Sequence, residues 1–309
     1  MPGARTIVQL LPALESGGVE RSTLEITDAL VRAGHRVDAL VRNTEKAAQV
    51  HARGAHPVMG DLANAASYSY AAAAADGVVH AACGFTSRGP QAERTALDTF
   101  VAPVPGRQRF LIYTSGVWVL GPCPTPVDES APVNPIAQSA WRAPHETLVL
   151  DAASETLRTV VVRPGVVYGG SRGIVGDLLR DAANGLVRVI GNGDNHWPLV
   201  YERDLGELFL RLATTPGASG IYHANDEGDE RVNDLVAAIA EHVKIRPSVR
   251  RVPLPEARNK MGAYAEALAL DQLVRSPRAR AIGWHPSLHS VAGNAARLVE
   301  EWRRGREAA

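Results

Sequence analysis

Two adjacent glycines, Gly17 and Gly18, stand between an apolar run at residues 6–11 and a segment where Val19, Thr23, Ile26, Leu30 and Ala33 recur at spacings of three and four. That spacing predicts one helix laying its apolar face on a sheet, with Gly34 as its left-handed stop. A strand, a glycine loop and a helix N-terminus can cradle a phosphate, because unpaired amides and the helix dipole favour an anion there. Dinucleotide sites show G-x-G-x-x-G or a near variant at this place. Here Pro12, Ala13, Leu14, Glu15 and Ser16 fill the other positions, and Glu15 adds a carboxylate. The stretch reads as a pyrophosphate cradle or as a plain connection, and both readings stand. After the next apolar run come Arg42, Asn43 and Lys46. Positive charge there suits the 2′-phosphate of NADP, where an NAD site would carry a carboxylate; the alternative is an exposed basic turn. Asp61 either accepts from an adenine amino group or caps the helix that follows. Ala81, Ala82 and Gly116 leave backbone room along a cofactor, or serve tight packing.

The histidines show no convergent metal spacing, so no metal is assigned. Cys83 and Cys123 lack metal-ligand neighbours and are too few for a disulfide framework.

These residues need a scaffold, and the chain alternates apolar strands with polar-faced helices. Strands are expected at residues 36–41, 56–60, 77–82 and 109–113. Helices fall between them at 44–53, with Thr44 as cap, at 63–75 and at 91–100. The alternation predicts an α/β fold, a Rossmann-like doubly wound parallel sheet whose ligands gather at strand carboxyl ends. Beyond residue 140 it continues less regularly, with helices at 141–153, 174–185, 204–214 and 232–242. Strands are read at 158–163, 187–190, 199–200, 221–223 and 248–252. Two helices, 260–275 and 290–304, close the chain. Pro253, Pro255, Pro277 and Pro286 make this part a poor source of central strands, so it reads as a small C-terminal cap. Residues 1–170 form the expected cofactor-binding core, and 171–309 complete the sheet and cap the substrate side as part of one unit.

At 309 residues with zero formal net charge, the chain can bury a sizeable core and offers no basic field for nucleic acid or anionic membrane. No signal peptide or membrane-length apolar run is read, so the expected location is cytoplasmic.

From residue 36 onward, local motifs follow in a telling order: LVRN ending at Asn43, Gly60-Asp61-Leu62, VVHAA at 78–82, YTSG at 113–116, RPGVVYGG at 163–170, WPLVYERDL at 197–205 and GWHPSL at 283–288. Over more than four-fifths of the chain this resembles the extended and atypical short-chain dehydrogenase/reductases, the NAD-dependent epimerase/dehydratase family. The first forty residues instead are similar to the opening of two-domain GT-B type glycosyltransferases, which begin with a GGVE-like loop. Both families start with a strand, a loop and a sheet-packing helix.

The resemblance implies a cofactor, NADP or NAD, and a nucleotide-sugar or small polar substrate. It also implies a homodimer and a relay of Ser or Thr with Tyr-x-x-x-Lys. In that relay the Lys lowers the Tyr pKa so that the phenol can move a proton. Aligned on this sequence, the catalytic hydroxyl falls on Gly116, one residue after Ser115. The Tyr-x-x-x-Lys frame falls on Trp141 and His145. All three positions have departed together. His145 is then the first candidate for proton transfer, with Ser115, Tyr168, Tyr201 and His196 behind it; a helix-surface histidine beside Glu146 is its alternative. Pro164, Val167 and Tyr168 resemble the nicotinamide-side wall, and Trp141, His196, Trp197 and Tyr201 face the substrate side. The functional reading is an atypical NAD(P)-dependent epimerase/dehydratase or reductase. The alternative is a dinucleotide- or ligand-binding protein that has lost the relay.

Overall fold

The computed structural model of the chain describes residues 3–10, 18–81 and 88–307. Its first half runs β1 (Thr6–Leu10), α1 (Gly18–Arg32), β2 (Arg36–Val41), α2 (Thr44–Ala52), β3 (His56–Met59), α3 (Ser69–Ala74), β4 (Gly77–His80), α4 (Gly89–Val101), β5 (Arg109–Thr114), β6 (Cys123–Val127) and α5 (Arg142–Asp151). Then come β7 (Leu157–Pro164), β8 (Val166–Tyr168), α6 (Gly173–Ala183), β9 (Leu186–Ile190), β10 (His196–Trp197), β11 (Leu199–Tyr201), α7 (Glu202–Thr214), β12 (Gly220–Ala224), β13 (Glu230–Arg231) and α8 (Val232–His242). The chain ends with β14 (Ser248–Val252), α9 (Leu254–Met261), α10 (Tyr264–Ala269), β15 (Gln272–Val274), α11 (Pro277–Ala281) and α12 (Ala295–Glu307).

Seven strands form one parallel sheet in the order β12-β7-β5-β4-β1-β2-β3. The expected doubly wound sheet is therefore formed. Its winding reverses between β1 and β4, where such sheets open a crevice at their carboxyl edge. Alternate strand residues face opposite sides. Ile7, Val37, Val79, Ile112 and Val160 pack under α1 and α7. Val8, Leu40, Val78, Leu111 and Val161 pack under α3, α4 and α5. Gln9, fully buried on β1, donates from Nε2 to the Thr23 carbonyl at 2.7 Å and accepts from Thr27 Oγ1 at 2.7 Å, which ties β1 to α1. Gly206 lets α7 approach α1, since a Cβ there would lie 2.8 Å from the Glu25 carbonyl oxygen.

A second apolar core gathers Tyr168, Leu179, Trp197, Tyr201, Leu235 and Trp302 from β8, α6, β10, β11, α8 and α12. The GWHPSL turn closes on α7: Trp284 Nε1 donates to the Asp204 carbonyl at 2.7 Å, and the Ser287 and Leu288 amides donate to Asp204 Oδ2.

Four local expectations change. The helix expected over 63–75 is a 3-10 turn at Ala65–Ser67 followed by the short α3. Asn43, not Thr44, caps α2, because its Oδ1 accepts the Lys46 amide at 2.9 Å. The helix expected over 260–275 is two short helices and a strand. Gly262, at φ +62, ends the first helix, and Gln272 and Val274 pair with Cys123 and Val127 of β6. The final helix begins at Ala295, after a 3-10 turn at Ala292–Asn294. No helix among the described residues is long and apolar enough to cross a membrane.

Candidate functional site

The carboxyl edge of the sheet collects most of the residues singled out above. Gly17 and Ala82 lie outside the described residues, and Gly18 is the first residue of α1. Arg42 directly follows β2, half exposed, with Nε 3.6 Å from Asp61 Oδ2. The other Asp61 oxygen accepts the Ala63 amide at 2.8 Å. Asp61 thus fixes the turn after β3 and still faces the guanidinium at the end of β2. Ala81 is buried just beyond β4.

Ser115 and Gly116 continue β5. The Ser115 amide donates to the Val162 carbonyl at 2.7 Å, so β7 holds the backbone, while Oγ is buried with no hydrogen-bond partner among the described residues. The neighbouring Thr114 Oγ1 is in the same condition. Gly116 is extended, and among the described residues a Cβ on it would meet only the Pro164 carbonyl oxygen, at 3.9 Å. Pro164 ends β7, and Val167 on β8 packs against the main core. Buried hydroxyls without partners beside open backbone are groups that a bound molecule would satisfy, and they fit a dinucleotide laid along the strand ends.

Helix α5 brings Trp141 and His145 to this edge. Arg142 Nη1 donates to the Thr114 carbonyl at 2.8 Å, which ties the start of α5 to the end of β5. The Arg142 guanidinium lies 4.4 Å from the Trp141 ring centre, and Trp141 meets His145 edge-on at 5.5 Å. His145 is buried and not a surface histidine; its Nδ1 faces Glu93 Oε1 at 3.6 Å.

Glu93 and its neighbours form a polar cluster that sequence reading passes over. Tyr113 donates its hydroxyl to Glu93 Oε1 at 2.6 Å. Arg142 Nη1 lies 3.8 Å from the same oxygen, and His80 packs on Tyr113 and Phe100. Burial pushes the Glu93 carboxyl up, but Arg142, His145, His80 and Tyr113 together outweigh it and hold it below the ordinary range, so it stays ionised. Burial drives His80 down to about 4, hence neutral. The signal was available in α4: Glu93 stands in the apolar stripe with Ala96, Leu97 and Phe100, at spacings of three and four.

The remaining candidates are held elsewhere. Tyr168 is buried and its hydroxyl donates to Asp226 Oδ2 at 3.2 Å; burial and that carboxyl push the phenol far up. Tyr201 donates to Glu301 of α12 at 3.1 Å and is pushed up to about 12 by burial and Glu301. His196 Nδ1 and its backbone amide both lie 2.8 Å from Asp271 Oδ1, and Arg231 Nε donates to its Nε2 at 3.4 Å. Trp197 Nε1 donates to the Leu268 carbonyl at 3.1 Å. The fold thus gathers Ser115, Gly116, Trp141 and His145 at one edge. It leaves Tyr168, Tyr201, His196 and Trp197 tied to the second core and its fringe. No group of His, Cys, Asp and Glu among the described residues has metal-binding spacing.

A family model described as NAD(P)H-binding matches residues 18–177. An uncharacterized protein of Schizosaccharomyces pombe is 31% identical over 278 residues, covering 86% of this chain and 92% of its own length. The 4-hydroxy-2-methyl-3-oxo-4-farnesyl-3,4-dihydroquinoline-1-oxide ketoreductase of Stigmatella aurantiaca is 28% identical over 255 residues, 79% of this chain and 76% of its own. Among solved structures, the human epimerase family protein SDR39U1, crystallised with NADPH, superposes with a TM-score of 0.76 at 18% identity, over 96% of this chain and 99% of that one. The family match starts at Gly18, inside the stretch that resembles a glycosyltransferase opening.

Proposed function

Because the chain belongs to the NAD(P)H-binding family, we propose that it is an atypical NADPH-dependent reductase or epimerase-like protein acting on a small polar or nucleotide-sugar substrate. The observation that carries this reading is the state of the β5 edge: a buried Ser115 hydroxyl without a partner among the described residues, next to Gly116, which those residues leave uncrowded, with Arg42 at the end of β2 on the same edge of the sheet. Arg42 would hold the 2′-phosphate of NADP, and Asp61 the adenine side. Ala81, Ser115, Pro164 and Val167 would line the dinucleotide. The bound cofactor supplies the hydride.

The chain's own task is the proton. Neither Trp141 nor Gly116 can move one, and the Tyr168 and Tyr201 hydroxyls already serve carboxylates. His145 therefore takes the role: as the imidazolium it gives the Nε2 proton to the substrate oxygen and returns to the neutral ring with its remaining proton on Nδ1, while Ser115 Oγ orients that oxygen. Reduction is favoured over epimerisation by the ketoreductase relative, which spans most of the chain.

NADPH fluorescence titration tests the reading. Saturable binding is expected, and Arg42→Glu should weaken it by about tenfold or more, the scale of one charge-assisted contact. No binding of NADPH or NADH at millimolar concentration would overturn it, and tighter NADH binding would reverse the cofactor preference. The joint departure of Gly116, Trp141 and His145 favours a second reading, a dinucleotide-binding protein without turnover. Bound NADPH that no carbonyl compound or nucleotide-sugar consumes would select it.

A further inference from the structure

The α4–α5 interface places a buried carboxylate against the His145 imidazole. Glu93 is fully buried on α4, and the Nδ1 of His145 on α5 points at its Oε1 from 3.6 Å. Neither His145 Nδ1 nor Glu93 Oε2 has a hydrogen-bond partner among the described residues. The ring's other nitrogen, Nε2, makes no hydrogen bond in that set. Catalytic contacts of this length in ligand-free proteins tighten when the ligand binds.

We propose that Glu93 is the positioning residue for His145: it holds the proton of the neutral ring on Nδ1 and leaves Nε2 as the nitrogen offered to the substrate side. This rests on reading His145 as the proton-transfer group. The groups around the ring support the assignment from each packed element. Tyr113 on β5 commits its one proton to Glu93 Oε1 and so has none to donate to Nδ1. Arg142, from α5 itself, brings a positive charge that keeps Glu93 ionised. Trp141 meets the imidazole edge-on and limits its rotation. His80 on β4 is neutral and adds no competing charge. A carboxylate that receives one ring N–H fixes both tautomer and ring plane, as in any histidine whose second nitrogen does the chemistry.

The test reads the tautomer and not the activity. In protein labelled with nitrogen-15 at histidine, long-range proton–nitrogen correlations at pH 7.5 report which ring nitrogen carries the proton, with His145→Gln assigning the signal. The wild type should show the Nδ1-protonated form. Glu93→Met should move the signal toward the Nε2-protonated form, and Tyr113→Phe, which keeps the carboxylate, should not. An Nε2-protonated wild type, or a signal unmoved in Glu93→Met, overturns the proposal. If Glu93→Met does not fold, because Arg142 has lost a counter-charge, the wild type and Tyr113→Phe still decide. Failure of NADPH to bind leaves these signals in place and counts against the cofactor reading alone.

Discussion

At Gly116 and Gly165 an added methyl group would meet opposite surroundings. Gly116 is extended, and among the described residues its Cβ direction meets only the Pro164 carbonyl, at 3.9 Å. A Cβ on Gly165 would lie 2.3 Å from the Pro198 carbonyl oxygen, a backbone atom that cannot step aside. Gly165 lets β8 come close to β11, whereas no described backbone presses on Gly116. Urea unfolding should therefore find Gly116→Ser within about 1 kcal/mol of wild type and Gly165→Ala destabilised by more than about 2 kcal/mol. Equal losses at the two sites would refute this account of the edge. Both glycines were legible as members of motifs, but their physical reasons were not. Pro198 is distant in sequence, and the openness at Gly116 depends on how β5 and β7 end together. Glu93 and His145 carry the same lesson. Each could be located on its own helix, but a contact between α4 and α5 leaves no local pattern.

Helix α5 docks through a buried ion pair on one side and the site cluster on the other. Arg163 of β7 donates from Nε to Glu146 Oε1 at 3.0 Å and from Nη2 to Oε2 at 2.5 Å, with both side chains almost completely buried. Removing one partner strands the other charge in a low-dielectric interior. Glu146→Leu should cost about 3–5 kcal/mol, and adding Arg163→Met should recover much of the loss. Thermal or urea unfolding of the two variants checks this, and a double variant as unstable as the single would count against it. The strands of the main sheet were readable because buried parallel strands are continuous apolar runs, as in residues 110–113. The pair β6 and β15 was not, because Pro124 and Pro126 look like breakers until an edge strand is seen to tolerate them on its unpaired side.

The main sheet and the second core meet at Asp226, just past the end of β12. Its amide donates to the Leu199 carbonyl of β11, its Oδ1 accepts the Gly228 amide, and its Oδ2 accepts the Tyr168 hydroxyl. Burial is the main reason its carboxyl rises from 3.8 to about 7, with Glu230 adding to the rise. A carboxyl raised in the folded state binds its proton more tightly there than in the unfolded chain. Its stabilising contribution is therefore complete below about 3.8 and is lost as pH rises through about 7. The buried histidines run the other way. His80 and His223 fall from 6.5 to about 4, chiefly by burial, so they stay neutral while the unfolded chain protonates, and stability drains as pH falls below 6.5. Between pH 4 and 6.5 the carboxyl offsets one of the two histidine slopes. Comparison with Asp226→Asn isolates the carboxyl. From pH 5 to pH 8 the stability difference should move in favour of the variant by roughly 2–3 kcal/mol, the linkage value for a shift of this size. Urea midpoints at pH 5, 6.5 and 8 measure it, and a difference that stays constant with pH would show that Asp226 is already ionised at the joint. In the expected case, ionisation above neutrality loosens the contact between the main sheet and the second core, and hydrogen exchange at Leu199–Tyr201 should quicken before that of β4 and β5.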